Sequence, residues 1–342
     1  MVQIGPFQDN EGGKMKKTLF LSLFALFLSG LCFCTMELQA ADKFPNKPIT
    51  FIIPIEAGGG GDVQVRPLAA QVGTLLGQPL IVVNKPGAGS SIGYREIHDS
   101  KPNGYTFGVG MATIVANKLQ GLLPYDFSDF TMLGGYQMAV PALIASTKGK
   151  RNFKTLQELV EFAKAHPDEV TVASGGKGQS WWIASVEFFN KAGIKVRIIP
   201  QEGAGGFSVA QVAGGHVDLA CAGLAEAKPQ IDAGNARLLA TFGPRRPFAY
   251  PDVPTLKELG YDCKTASLVS CIGPPGIPKD VVDILVKAIE TAAKNPEYKK
   301  FLEERNNTIS LYQTPEQQFA TYSEHRAMFR EILGAAGLLK EK

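Results

Sequence analysis

Residues Ile49 to Asp62 read ITFIIPIEAGGGGD, and this stretch restricts the fold more than any other. An apolar, β-branched run (Ile49, Phe51, Ile52, Ile53) stops at Pro54, and four consecutive glycines, Gly58 to Gly61, then lead into a helical segment opened by Asp62. A buried parallel strand followed by bare backbone and a helix N-terminus has this appearance. Such a junction attracts anions, because the first N–H groups of a helix lack partners and the helix dipole adds partial positive charge.

At 342 residues, 45% apolar and 20% charged, the chain is long enough for two ordinary globular domains and too apolar for disorder. Its net charge of +3 comes from mixed charges with only short basic groups such as Arg245-Arg246 and Lys299-Lys300, which excludes nucleic acid as a partner. Near the start, Lys14, Lys16 and Lys17 precede an uncharged run from Leu19 to Phe33, and Leu38-Gln39-Ala40 offers a cut ahead of Ala41. Residues 1–40 thus read as a secretory signal, with Met15 an alternative start and a retained anchor helix the competing reading. The mature protein is expected to be soluble and periplasmic.

Removing the leader takes Cys32 and Cys34 with it and leaves Cys221, Cys263 and Cys271. If one strand spans Cys263 to Cys271, their Cα atoms stand about 26 Å apart at ~3.3 Å per residue, too far for a bridge. At most one disulfide can form, and buried free thiols are expected.

After the glycine loop, Val63–Leu76 reads as a helix with Pro67 in its first turn, and Leu80–Val83 as a strand opening onto a second small-residue loop, Lys85 to Ser91. A helix, a strand at Tyr105–Val109 and an apolar stretch at Ala142–Ala145 follow. The alternation then repeats. Helix Thr155–Ala165, strand Val170–Ser174, the loop Gly175 to Gln179, a helix capped by Ser180, strand Val196–Ile199 and the loop Gln201 to Gly206 succeed one another. Strands at Val217–Cys221, Leu238–Phe242 and Ala266–Ile272 come next, and Lys279 onward reads as helical to the end. Two such sets imply two α/β lobes with mostly parallel sheets covered by helices on both faces. Ligands of open α/β sheets sit outside the carboxyl ends of the strands, so each lobe should present one rim of a shared cleft.

Enzyme signatures fail one by one. After Gly58 and Gly60 the dinucleotide fingerprint needs glycine where Val63 stands, and the nucleotide P-loop needs Ser or Thr where Gly178 follows Lys177. Gly89-Ser90-Ser91-Ile92-Gly93 fits a hydrolase elbow, but Ser91 lies about eight residues beyond its strand instead of on the turn directly after it. His98, His166, His216 and His325 are scattered, without metal spacing, and read as surface or helix-end residues. No catalytic residue, metal or cofactor is expected.

Several motifs, in order, resemble one family. They are Phe44-Pro45-x-Lys47-Pro48-Ile49, Gly58-Gly59-Gly60-x-Asp62, Asn84-x-Pro86-Gly87-Ala88-Gly89-x-x-Ile92-Gly93, Pro102-x-Gly104-Tyr105-Thr106, Tyr125-Asp126 and Pro251-Asp252-Val253-Pro254-Thr255. The chain resembles the Bug-type solute receptors of tripartite tricarboxylate transporters over essentially its whole mature length. The resemblance implies a periplasmic binding protein type II fold whose lobes close on a small carboxylate and deliver it to membrane permease subunits. Lobe 1 is then 41–141 plus 270–342 and lobe 2 is 142–269, with hinges near Ala139–Ala145 and Ser267–Gly273 and a monomeric chain.

On the same footing the ligand is expected among Glu56, Ala57, Gly58, Gly59, Gly60, Gly61, Asp62, Ser90 and Thr113 on one rim. Gly176, Lys177, Gly178, Gln179, Ser180, Trp182, Gln201, Gly203 and Ala222 form the other. The chain departs from the family at Ile114, Trp182, Gln201-Glu202 and Ala222, and the Trp182 wall with Glu56 and Glu202 suggests an aromatic or cationic remainder on the ligand. A ligand-sensing receptor for a signalling partner and a secreted hydrolase using Ser91 are the rivals.

Overall fold

The computed structural model describes residues 1–3, 5, 43–58, 60–201, 205–305 and 308–341. The leader core and cleavage site, with Cys32 and Cys34, lie outside the described residues. Residues Met1–Asn46 form one unit and Lys47–Lys342 another, to which every element below belongs. Among the described residues no helix is long and apolar enough to cross a membrane.

The chain runs β1 (Ile49–Ile53), α1 (Gly60–Leu76), β2 (Leu80–Asn84), α2 (Ser91–His98), β3 (Thr106–Met111), α3 (Thr113–Leu119) and β4 (Thr131–Ala139). It continues through β5 (Pro141–Ser146), α4 (Leu156–Ala165), β6 (Thr171–Ser174), α5 (Ser180–Ala192), β7 (Arg197–Pro200), α6 (Gly205–Ala213), β8 (Leu219–Gly223), α7 (Leu224–Asp232) and β9 (Ala236–Thr241). Finally come β10 (Ser267–Gly273), α8 (Lys279–Ala293), α9 (Pro296–Lys300), β11 (Ile309–Gln313) and α10 (Pro315–Ala335).

Two sheets result, one six-stranded in the order β11-β4-β10-β3-β1-β2 and one five-stranded in the order β7-β6-β8-β5-β9. β1 lies inside the first, parallel to both β2 and β3, which is why its residues are almost uniformly apolar. Its neighbour on β3 must be glycine: a Cβ at Gly108 would stand 2.3 Å from the Ile52 carbonyl oxygen. In the second sheet side chains alternate between two cores. Leu143, Ala145, Val172 and Leu219 enter one, and Ala142, Ile144, Ala173 and Ala220 the other.

The expectation of mostly parallel sheets is corrected to mixed ones. β10 runs antiparallel between β3 and β4, β11 runs antiparallel to β4, and β5 runs antiparallel between β8 and β9. The reversals fall where the chain changes sheet: β4 continues into β5 with Val140 alone between them, and β10 brings the chain back. Two strands escape a periodicity reading. β4 carries Gly134-Gly135 at its centre, which erases the side-chain signal, and β11 is a short, half-buried edge strand inside what reads as continuous helix. Helix α1 starts at Gly60, so Pro67 falls inside it and not in the first turn.

Cys221, Cys263 and Cys271 are buried free thiols. His98 is partly covered at the end of α2, and His166 and His216 are exposed, but His325 is only 7% exposed, inside α10. Its ring stacks on Phe329 at 5.4 Å between centroids, and Nδ1 has no partner. Desolvation pushes its pKa down to about 4, against opposing pulls from Glu187 and the Ala266 backbone. Since this lies below the unfolded value near 6.5, the unfolded chain binds the proton first and stability falls between about pH 6.5 and 4. A His325→Phe variant is therefore expected to gain on the native protein in thermal midpoint as pH drops through that window. A constant difference from pH 7 to 4 would contradict the assignment.

Candidate functional site

The loop after β1 is fixed from beneath by Asp62. Its carboxylate accepts hydrogen bonds from Gly58 N, Arg66 Nε and Asn84 Nδ2, each at 2.9 Å, and Asn84 also donates to the Ile55 carbonyl at 3.0 Å. Burial opposes ionisation of Asp62, but the bonds from Arg66, Asn84 and Gly58 outweigh it and hold the carboxyl below the ordinary range. Asp62 thus shapes the loop, while Glu56, Ala57 and Gly58 are exposed on it. Gly60 and Gly61 begin α1, and Gly59 lies outside the described residues.

The loop after β2 is unusual in its backbone. Ala88, Gly89 and Ser90 follow one another with φ of 46°, 61° and 79°, a conformation that non-glycine residues hold only when their surroundings impose it. Asn117 imposes it: Nδ2 donates to the Gly89 carbonyl at 2.7 Å and to Ser91 Oγ at 3.0 Å. Ser91 Oγ therefore rests on an amide, which cannot take its proton as a hydrolase base must. Ser90 is buried, and Thr113 Oγ1 shares a 2.6 Å hydrogen bond with the buried Tyr94 hydroxyl.

On the second sheet the loop between β6 and α5 turns at Gly178, where φ is 80° and a Cβ would stand 2.1 Å from Gln120 Oε1. Gln179 N donates to the Gly176 carbonyl at 2.9 Å, and Lys177 is exposed. Ser180 opens α5 with a buried hydroxyl that has no partner among the described residues, at a helix end where N–H groups are free. Gln201 N donates to the Ser174 carbonyl at 2.9 Å, Ala222 is buried near the end of β8, and Glu202 and Gly203 lie outside the described residues.

The two loops meet. Gln120 Nε2 donates to the Gly178 carbonyl at 3.0 Å, Gln179 Nε2 donates to Asn117 Oδ1 at 3.3 Å, and the Gln179 amide covers Gly89, where a Cβ would stand 2.7 Å from Nε2. Gln120 is a contact the motifs do not point to; its signal is the spacing of three from Asn117, which puts both on one helix face. A shallow surface cavity of about 450 Å³ lined by His98, Asp129, Phe130, Thr131 and Pro275 sits instead at the amino end of β3.

The two tryptophans of α5 face different surroundings. Trp182 is 6% exposed and packs with Tyr94, Ile114, Val115 and Phe329. One residue earlier on the helix, a rotation of about 100° turns Trp181 the other way. Its half-buried indole lies against Gly175 and Gly223, near Glu226 of α7. Glu226 Oε2 accepts a hydrogen bond from Gly223 N at 3.1 Å, and desolvation pushes its pKa up to about 7 against that bond.

The family described as "Tripartite tricarboxylate transporter family receptor" matches residues 64–337. A Cupriavidus necator protein, "UPF0065 protein in gbd 5'region", is 33% identical over 320 residues, covering 91% of this chain and 94% of that protein. The structure of the periplasmic binding protein BugD is similar with a TM-score of 0.75 at 26% identity, over 87% of this chain and all of that one. Two Rhodopseudomonas palustris proteins share the fold at 23% identity. One, with bound malate, has a TM-score of 0.74 and covers 85% of this chain and 100% of its own. The other, with adipate, has a TM-score of 0.77 and covers 86% and 98%.

Two stability outcomes follow from the placements. Asp62→Ala removes the charged acceptor that Gly58, Arg66 and Asn84 share and is expected to cost about 1–3 kcal/mol in urea unfolding; no loss would mean the loop holds without it. Trp182→Ala should cost about 3–5 kcal/mol by the same measurement, while Trp181→Ala stays within about 1 kcal/mol. Equal effects would undo the distinction between core and rim.

Proposed function

This chain belongs to the receptor family of tripartite tricarboxylate transporters, and from that membership we propose that it captures a small carboxylate outside the cytoplasm for delivery to the membrane subunits of such a transporter. Its work is binding without chemistry. The proposed lobes are 41–141 plus 270–342 and 142–269, with the passage through Val140 and the return through β10 as hinges. The proposed location is the periplasm, with residues 1–40 removed on export.

The observation that carries this reading is the meeting of α3 and the loop after β2 with the loop after β6, through Gln120 with Gly178, Gln179 with Asn117 and the Gln179 amide over Gly89. On the first rim, the backbone N–H groups after β1, in the loop Asp62 shapes, and the Ser90 region receive the carboxylate. On the second, the first N–H groups of α5 and the unpartnered Ser180 hydroxyl face it. Bonds from these groups to an ionised carboxylate are charge-assisted and about twice as strong as neutral ones. A ligand touching both rims favours the closed arrangement by its differential affinity, and about 5.5 kcal/mol moves a population from mostly open to mostly closed.

A thermal-shift series tests this. At a hundredfold excess over Kd a ligand adds about 2.7 kcal/mol, which raises the midpoint of a chain this size by about 5 °C. Malate, adipate, tricarboxylates, aromatic acids and amino acids form the panel, and at least one should produce that rise while its uncharged amide does not. An amide that stabilises as well as its acid would remove the carboxylate from the proposal.

A further inference from the structure

The carboxyl of Glu226 occupies the end of the second sheet where a ligand's far group would arrive. It lies at the start of α6: a Cβ on Gly205 would stand 2.0 Å from Glu226 Oε2 and 3.2 Å from the Ala222 side chain. A Cβ on Gly223 would stand 3.1 Å from the same oxygen and 3.3 Å from Trp181 Cζ2, so carboxyl and indole flank one spot. Glu226 and Ala222 both border Gly205, so the chain supplies its own negative charge where α6 offers its free N–H groups.

Capping does not use up the group. Glu226 Oε2 accepts from Gly223 N at 3.1 Å as part of the first turn of α7, but Oε1 accepts no hydrogen bond among the described residues. Among the described residues no lysine or arginine acts on it, and burial lifts the carboxyl to about 7. The charged neighbours on the packed helices are engaged elsewhere: Lys228 with Asp232 on α7, and Glu187 with Lys191 and Thr265 on α5. A desolvated carboxyl without a cation, beside an indole, suits a protonated amine, which both groups attract.

We propose that Glu226 and Trp181 form a subsite for a ligand ammonium group, so that the preferred ligand carries one carboxylate and one amine and not two carboxylates. This rests on the carboxylate-capture reading, which supplies the other end of the ligand. A dicarboxylate would set its second negative charge against Glu226.

Calorimetric titration with matched pairs tests the assignment: adipate against 6-aminohexanoate, and succinate against 4-aminobutyrate, in which an aminomethyl group replaces one carboxylate. In the native protein the amine-bearing member of at least one pair should bind roughly tenfold tighter than its dicarboxylate partner. Glu226→Gln keeps the volume and the helix cap while removing the charge, and should abolish or invert that preference. Trp181→Leu should weaken the amine-bearing ligand and leave the dicarboxylate alone. Dicarboxylates binding the native protein as tightly, or a preference unchanged in Glu226→Gln, would overturn the ammonium subsite and leave carboxylate capture standing. If none of the four binds the native protein, the ammonium subsite falls, and carboxylate capture is decided separately by the wider thermal-shift panel.

Discussion

One amide side chain reaches three residues at the junction of the two sheets. Asn117 donates to Gly89 and to Ser91, which fixes a left-handed run of backbone, and accepts from Gln179, which belongs to the other sheet. A carboxylate could accept from Gln179 but has no proton to give the Gly89 carbonyl, and a hydroxyl lacks the span. The two sheets are held in register at this point by a group with both kinds of hydrogen-bonding capacity. The strained backbone at Ala88 and Ser90 persists because this same group over-determines it.

The division of labour around the first loop has the same character. Glycine-rich backbone by itself is floppy, since glycine loses the most freedom on ordering. Asp62 removes that freedom by engaging Gly58 within the loop, Arg66 a turn along the helix and Asn84 at the end of the next strand. The Asp62 carboxylate is engaged in holding the loop together. Under the proposed function, N–H groups ordered in this way meet the carboxylate without a further ordering cost.

The alternating α/β plan, the positions of most strands and the glycine loops at strand ends were legible in the residues, because buried strands are runs of β-branched side chains and the turns between them need glycine. What was not legible had physical causes. Gly134-Gly135 hid β4, since a strand without side chains has no periodicity to show, and β11 was too short to interrupt a helical pattern. Trp181 and Trp182 are indistinguishable by composition, and only the phase of α5 against its neighbours decides which one enters the core. Glu226 reads as one acidic residue in a polar helix; its importance lies in the glycines at 205 and 223 that let it approach, which come from separate elements. The burial of His325 depends likewise on which face of α10 the sheet covers.

The three unbridged thiols have a practical meaning. Burial pushes Cys221 and Cys263 up to about 12 and Cys271 higher still, so the reactive thiolate is scarcely populated at neutral pH. Oxidants have little to attack among the described residues, and the fold owes no stability there to a bond that a reductant could cut. A single cysteine engineered onto an exposed position of each sheet would then take a fluorescent dye selectively, making the distance between the sheets readable without first stripping the native sulfurs.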